Sequence, residues 1–95
     1  HQNPNNAKAR KNGESEMIEQ TAKDYVKRAC RIGKKPLFYV AEKELKRGMI
    51  WQAMEEYRYN QSDAAKALGI NRTTLRSWIK QVFTNDEMAN MGIKQ

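Results

Sequence analysis

Four hydrogen-bonding side chains near the carboxyl end of the chain recur at the spacing of one helix face. Arg72, Arg76 and Lys80 are four residues apart, and Thr73 follows the first of them. Because an α-helix turns once in about 3.6 residues, these side chains would lie on one side. Arginine donates paired hydrogen bonds to guanine edges and phosphates, and threonine and lysine also bind these groups. The pattern therefore predicts a helix that binds a polyanion.

A tight turn and a shorter helix precede this face and would set its position. The run 61–80 reads Q-S-D-A-A-K-A-L-G-I-N-R-T-T-L-R-S-W-I-K. Asn60 is predicted to cap the first helix, and Asn71 to cap a second helix that continues to about Val82. Gly69 supplies the positive φ that a sharp turn at a helix carboxyl end requires. The residues predicted to be buried between the two helices are small or apolar: Ala64, Ala65, Leu68, Ile70, Leu75 and Ile79.

Two short helices joined at a glycine turn, with polar side chains on the free face of the second, are typical of helix-turn-helix DNA-binding motifs. In such motifs the first turns of the second helix read base edges in the major groove. A helical hairpin used only for packing is the alternative. It explains the buried alanines and leucines equally well, but it gives no reason for two arginines beside two threonines. Double-stranded DNA is therefore the expected partner.

The charge balance also favours a polyanionic partner. The 95 residues include 18 lysines and arginines against 11 aspartates and glutamates, so the net charge is +7. With 39% hydrophobic residues the chain fits one small domain with a modest core, for which an oligomer is a reasonable expectation. No apolar run approaches the roughly 20 residues that cross a bilayer, and no signal-peptide core is evident. We therefore expect no membrane contact and a cytoplasmic location.

Catalytic and metal chemistry find little support in the sequence. The only histidine is His1, and no glycine-rich phosphate loop or suitably spaced carboxylate cluster is evident. Cys30 has no second cysteine for a disulfide or a metal cluster, and we predict that it is a small buried side chain. We therefore predict that the chain is not an enzyme and uses neither a metal nor a cofactor.

Two helices are predicted upstream of the motif, after a flexible Asn-rich arm at 1–14. Apolar residues at steps of three and four indicate a first helix from Ser15 to a stop at Gly33. The second helix begins at Pro36, runs for about six turns, and carries Gly48 at a kink or close helix crossing. Its apolar residues cover more than one stripe, which favours a second copy of the chain as a partner.

These two helices are therefore assigned to dimerisation at 15–59, followed by the helix-turn-helix at 60–83 and a tail at 84–95. In the tail, Asn85 followed by two acidic residues could cap one more helical turn. The alternative is that the end of the chain is frayed. The expected dimer contacts are Ile18, Tyr25, Phe38, Leu45, Met49 and Met54.

The stretch N-Q-S-D-A-A-K-A-L-G-I-N-R-T-T-L-R, residues 60–76, resembles the Fis family of bacterial nucleoid and recombination proteins. It is more distantly similar to the carboxyl-terminal domains of nitrogen-regulatory enhancer-binding activators. The likeness covers about residues 15–82 and implies an all-α, four-helix subunit in which two helices form a dimer core before a helix-turn-helix. It also implies two recognition helices closer together than one DNA turn, so that the bound duplex must bend.

By position, the resemblance assigns DNA contacts to both helices of the motif. From the helix face and the resemblance together, the expected DNA-binding residues are Asn60, Ser62, Asn71, Arg72, Thr73, Thr74, Arg76 and Lys80. Ser77 and Trp78 stand where the family has a basic pair, so Trp78 is expected to pack against the dimer core or the second upstream helix, which serves as a scaffold. The family's amino-terminal hairpin has no recognisable counterpart here.

The leading hypothesis is a homodimeric transcriptional or architectural regulator of the bacterial nucleoid that bends DNA. One alternative is that the chain is the DNA-binding fragment of a larger enhancer-binding activator. Another is a protein-interaction adaptor that uses the helical hairpin.

Overall fold

The structure, a computed structural model, describes residues 13–93, and every regular element among them is an α-helix. The predicted all-α fold with a helix-turn-helix is confirmed, with a fifth helix after the motif. The helices are α1 (Gly13–Arg31), α2 (Phe38–Glu56), α3 (Gln61–Ala67), α4 (Arg72–Val82) and α5 (Asn85–Asn90). No helix in the described range is long and apolar enough to span a membrane.

The chain divides into two compact units. The first ends at Leu37 and contains α1, and the second begins at Phe38 and contains α2 to α5. The scaffold helix α2 thus belongs with the helix-turn-helix, although the sequence grouped it with α1. The dimerisation assigned to residues 15–59 stays a prediction, and most of the arm predicted at 1–14 lies outside the described residues.

Helix α1 begins at Gly13, two residues before the predicted start, and ends at Arg31. The backbone N–H of Lys34 donates to the carbonyl of Ala29 at 2.8 Å, and Gly33 has a φ of 75°, which closes the helix as predicted. Ala29 is the buried residue of this helix. Cys30 is exposed, so the prediction that it is buried is wrong.

Helix α2 begins at Phe38, two residues after Pro36, and its 19 residues make about five turns rather than six. It continues through Gly48, where an added Cβ would meet no atom within 4 Å. Packing against the described part of the chain therefore does not require a glycine here. The close helix crossing predicted at Gly48 is absent within this unit.

The core of the second unit is built from all four of its helices. Its buried residues are Ile50, Met54, Ala64, Ala65, Leu75, Ile79, Val82, Phe83, Met88 and Met91. Met54 is 0% exposed and therefore has no surface left for a second copy of the chain. The prediction that Met54 is a dimer contact is wrong, because the apolar pattern of α2 did not show which side faces its own unit.

The connection from α2 to α3 is short and hydrogen-bonded. The backbone N–H of Tyr59 donates to the carbonyl of Met54 at 2.6 Å, and that of Asn60 donates to Tyr57 at 3.0 Å. Arg58 and Tyr59 have φ values of 54° and 65°, a left-handed conformation that costs about 1–2 kcal/mol for each non-glycine residue. The surrounding contacts must hold this turn in place.

The segment after the motif is an ordered part of the core. Of the two alternatives for this segment, the structure has the additional helical turn, and Met88 and Met91 bury their side chains. The cap is Thr84 rather than Asn85: its hydroxyl oxygen accepts from the N–H of Glu87 at 3.1 Å. The Glu87 carboxylate accepts in return from the N–H of Thr84 at 2.8 Å, which completes a capping box.

Arg47 joins α2 to the end of α4 and to α5. Its guanidinium donates to both carboxylate oxygens of Glu87, at 2.9 and 2.7 Å, and to the backbone carbonyl of Val82 at 2.6 Å. The planar group lies 5.7 Å from the ring centroid of Trp51 and 5.0 Å from that of Phe83. These two rings meet edge to face at 5.4 Å. We name the five residues Arg47, Trp51, Val82, Phe83 and Glu87 the arginine cluster.

The ion pair shifts the titration of its carboxylate. The hydrogen bonds from Arg47, and then the bond from the Thr84 N–H, lower the pKa of Glu87 from 4.5 to about 2. The same pairing raises the pKa of Arg47. Because the folded state favours the ionised carboxylate, this contribution to stability is complete above about pH 4.5 and is lost as the pH falls towards 2.

We predict that Glu87→Gln makes the free energy of unfolding less dependent on pH below 4.5. The variant should be less stable than the parent at neutral pH, and the difference should shrink between pH 4.5 and 2, where the parent loses its ionised Glu87. Urea denaturation at a series of pH values measures this. Glu42→Gln, which removes an exposed carboxylate of α2, serves as the matched control. Parallel pH profiles for Glu87→Gln and the parent would contradict the assignment.

Candidate nucleic-acid interface

Helix α3 is capped as its sequence predicts. The Asn60 side-chain oxygen accepts from the backbone N–H of Asp63 at 2.9 Å, and Asp63 lies in the first turn, near the positive end of the helix. Ala64 and Ala65 are buried in the core of the unit. Their small side chains allow the close approach of α3 and α4 that the motif requires.

The turn between α3 and α4 depends on Gly69. This residue has a φ of 72°, and its N–H donates to the carbonyl of Lys66 at 3.1 Å. The N–H of Ile70 then donates to Ala65 at 3.0 Å, which redirects the chain away from α3. Leu68 and Ile70 are partly buried and pack against the core, as predicted for the crevice between the helices.

Helix α4 is the predicted recognition helix, and its two sides differ sharply. The Asn71 side-chain oxygen accepts from the N–H of Thr74 at 2.7 Å, which confirms the predicted cap. Leu75, Ile79 and Val82 are buried along one stripe. The positions of this stripe are three and four residues apart, so the opposite side of the helix is left to solvent.

All eight predicted DNA-binding residues lie at or near this free side or at the helix amino termini. Seven are exposed and Thr74 is half-buried; the exposed ones are Asn60, Ser62, Asn71, Arg72, Thr73, Arg76 and Lys80. Asn60 and Asn71 each use the side-chain oxygen as a cap, and the amide –NH₂ group is a separate donor. Each asparagine can therefore fix its helix and donate to a phosphate with the same side chain.

Helices α3 and α5 border α4 on the side of Arg76. An open pocket of about 220 Å³ is lined there by Gln61, Arg76, Ile79, Lys80, Asn85, Met88 and Ile93. The side-chain oxygen of Gln61 is buried and accepts no hydrogen bond from the described residues. Two cations of α4 thus lie over a partly polar depression.

Helix α2 borders α4 on the other side. Trp78 is half-buried against the core, and the Lys46 ammonium lies 4.6 Å from the centroid of its ring. A cation at this distance is attracted by the π-electrons of the indole. Of the two partners expected for Trp78, this contact is with the scaffold helix.

The sequence missed three contributors to the placement of this surface. Arg47 and Glu87 form the ion pair that ties α2 to the far end of α4, and Lys46 covers Trp78. The two pairs join residues 40 and 32 positions apart, so helical periodicity gives no sign of them. Within residues 13–93, no group of three or more His, Cys, Asp or Glu side chains is placed to hold a metal ion.

Comparison with known families adds one finding. Residues 43–81 match the model of the family described as bacterial regulatory protein, Fis family. The matched range begins within α2, contains α3 and the turn, and ends one residue before α4 ends. No curated protein and no solved structure matches the chain.

We predict opposite effects for alanine at two glycines. Gly69→Ala should lower the free energy of unfolding by about 1 kcal/mol, because alanine is strained at a positive φ. Gly48→Ala should raise it by about 0.5–1 kcal/mol, because alanine favours the helix interior and its Cβ meets no atom within 4 Å. Chemical denaturation of both variants measures the two changes. A stabilising effect of Gly69→Ala would contradict the assigned turn.

Proposed function

Because residues 43–81 match the family of bacterial regulatory proteins named for Fis, we propose that the chain is a homodimeric DNA-binding regulator that bends its target duplex. The observation that carries this proposal is the surface of α4 outside its buried stripe, where Arg72, Thr73, Arg76 and Lys80 are exposed. In this proposal the protein acts on the bacterial nucleoid in the cytoplasm, controlling transcription or DNA architecture, and catalyses no reaction.

Direct base readout is assigned to the first turns of α4. Arg72 and Arg76 present forked donors that match the N7 and O6 acceptors of guanine in the major groove. Thr73, between them in sequence, adds a short hydroxyl donor and acceptor. Lys80, one turn further on, extends the cationic side towards a phosphate.

Phosphate contacts are assigned to the helix amino termini. Asn60, Ser62 and Asn71 are exposed at the starts of α3 and α4. Backbone N–H groups at a helix start carry partial positive charge and attract phosphate oxygens. Such contacts fix the position of the protein on the duplex without reading its sequence.

Dimerisation is supported by apolar side chains that the chain leaves uncovered. Phe38, Leu45 and Met49 are 80%, 50% and 48% exposed. They are seven and four residues apart and form one stripe of α2, on the opposite side from the buried Ile50 and Met54. In α1, Ile18 and Tyr25 are likewise exposed at a spacing of seven residues. A second copy of the chain would remove these surfaces from water.

DNA bending follows from dimer geometry in this proposal. If the two α4 helices of the dimer lie closer than one DNA turn, a straight duplex cannot accept both in successive major grooves. Bending a site of 20–30 base pairs costs on the order of 1–6 kcal/mol and depends on its sequence. Selection of bound sequences, with circular-permutation gel shifts, would report preferred sites and bend together.

We predict that Arg76→Ala weakens binding to a selected site by about 1–3 kcal/mol and changes binding to random duplex much less, because a base-edge contact is lost. Fluorescence anisotropy with both duplexes measures the difference. Arg28→Ala, which removes an exposed arginine of α1, is the control for net charge. An equal loss on all sequences would reduce Arg76 to a phosphate contact. Absence of salt-dependent affinity in the parent protein would refute DNA binding and favour a protein-interaction adaptor.

We predict that Leu45→Glu dissociates the dimer while the subunit stays folded, because Leu45 is half exposed in the single chain. Sedimentation velocity gives the oligomeric state, and circular dichroism gives the helix content. Leu45→Met preserves apolar volume and should remain dimeric. Met54→Glu should instead unfold the unit, because the charge would be buried. A Leu45→Glu variant that sediments as a dimer would refute this surface.

A further inference from the structure

The two flanks of the recognition helix carry different chemistry. At about 100° per residue, Arg72 and Arg76 lie on one side of the buried stripe, and Thr74 and Trp78 lie on the other. The first flank is bordered by α3 and α5 and carries the arginines. The second flank is bordered by α2, and the side chains that α4 itself places there are uncharged.

A helix in the major groove has a phosphate backbone on each side. The groove is about 12 Å wide, so a helix with its side chains fills it and both flanks approach phosphates. An uncharged flank would leave one backbone without a cation from α4. Phosphate contacts supply much of the affinity of DNA-binding proteins, so a cation is expected at this edge from some other element.

Lys46 of α2 is placed to supply that cation. Its ammonium lies 4.6 Å from the centroid of the Trp78 ring, and it forms no ion pair with any carboxylate of residues 13–93. The next residue, Arg47, is held by the hydrogen bonds to Glu87 and Val82. Trp78 and the fixed helix backbone thus restrict where the Lys46 side chain can go.

We propose that the Lys46 ammonium binds a backbone phosphate of the duplex on the Trp78 flank of α4, with the indole ring as its platform. This inference rests on the proposed DNA-binding function and adds a contact from the scaffold helix to it. The contact is independent of base sequence. The proposed contact provides a cation from α2 at the edge of α4 that carries the uncharged Ser77 and Trp78.

The test is the salt dependence of binding to a random duplex by four proteins: the parent, Lys46→Gln, Lys46→Arg and Lys34→Gln. For each bound copy of the chain, loss of one phosphate contact should reduce the slope of log K against log salt by about 0.9, and the affinity at 0.1 M salt by about eightfold. Lys46→Arg keeps the charge and can also stack on indole, so it should behave as the parent does. Lys34→Gln removes the same charge from the exposed segment after α1 and should change the slope less.

The outcomes separate this inference from the proposed function. A parent protein without salt-dependent affinity refutes DNA binding itself. A parent that binds, with an unchanged slope in Lys46→Gln, overturns the role of Lys46 alone. Equal slope losses in Lys34→Gln or in Lys46→Arg also overturn it, because the effect would then reflect net charge or packing. Circular dichroism of each variant at the binding temperature verifies that it is folded.

The platform role of Trp78 has its own measurement. In a Trp78→Leu background, Lys46→Gln should change the salt slope less than it does in the parent, because the ammonium is no longer held by the ring. Equal changes in the two backgrounds would overturn the platform and leave Lys46 as a freely moving phosphate contact.

Discussion

The bidentate ion pair between Arg47 and Glu87 is the constraint on which the rest of the second unit depends. A helix leaves its last carbonyl groups without intrahelical partners, and Arg47 donates to one of these, at Val82. The same guanidinium holds the carboxylate that caps α5. The position of the recognition helix is therefore fixed at its carboxyl end by α2, while its amino end is fixed by the turn at Gly69.

This arrangement fixes the position of the candidate interface within a short unit. The core is modest, and both partners of the ion pair keep about a quarter of their side chains exposed, at 24% and 23%. The rings of Trp51 and Phe83 flank the guanidinium and shield it in part from water. Packing and electrostatics thus act on the same few atoms, and α5 contributes to the placement of α4 without lying in the motif.

The parts of the fold that could be predicted from sequence are those governed by local signals. Asn60, Gly69 and Asn71 act within three residues of their own positions, and each does what its residue type indicates. The cap at Thr84 was not predicted, although Glu87 follows it at the spacing of a capping box, because Asn85 is also a favourable cap residue and is followed by two acidic residues. The remaining errors are not local. Met54 belongs to a helix whose apolar residues cover more than one stripe, and only the packed structure shows which side faces its own unit.

The site shows the same division. The cationic side of α4 follows from helical periodicity, whereas the position of Lys46 depends on how α2 crosses α4, which periodicity does not determine. The proposed dimer contacts differ from both of these cases. Their exposure is visible in a single chain, but the partner proposed for them is a second copy, so their role would depend on association rather than on the fold of one subunit.

The left-handed turn at Arg58 and Tyr59 has a mechanical consequence. With backbone hydrogen bonds from Tyr59 to Met54 and from Asn60 to Tyr57, the connection from α2 to α3 contains no compliant linker. A force applied to α4 by a bound duplex would pass through α3 and this turn, and through the arginine cluster, into α2. If the protein bends DNA as proposed, part of the elastic energy of the duplex would be carried by the scaffold helix.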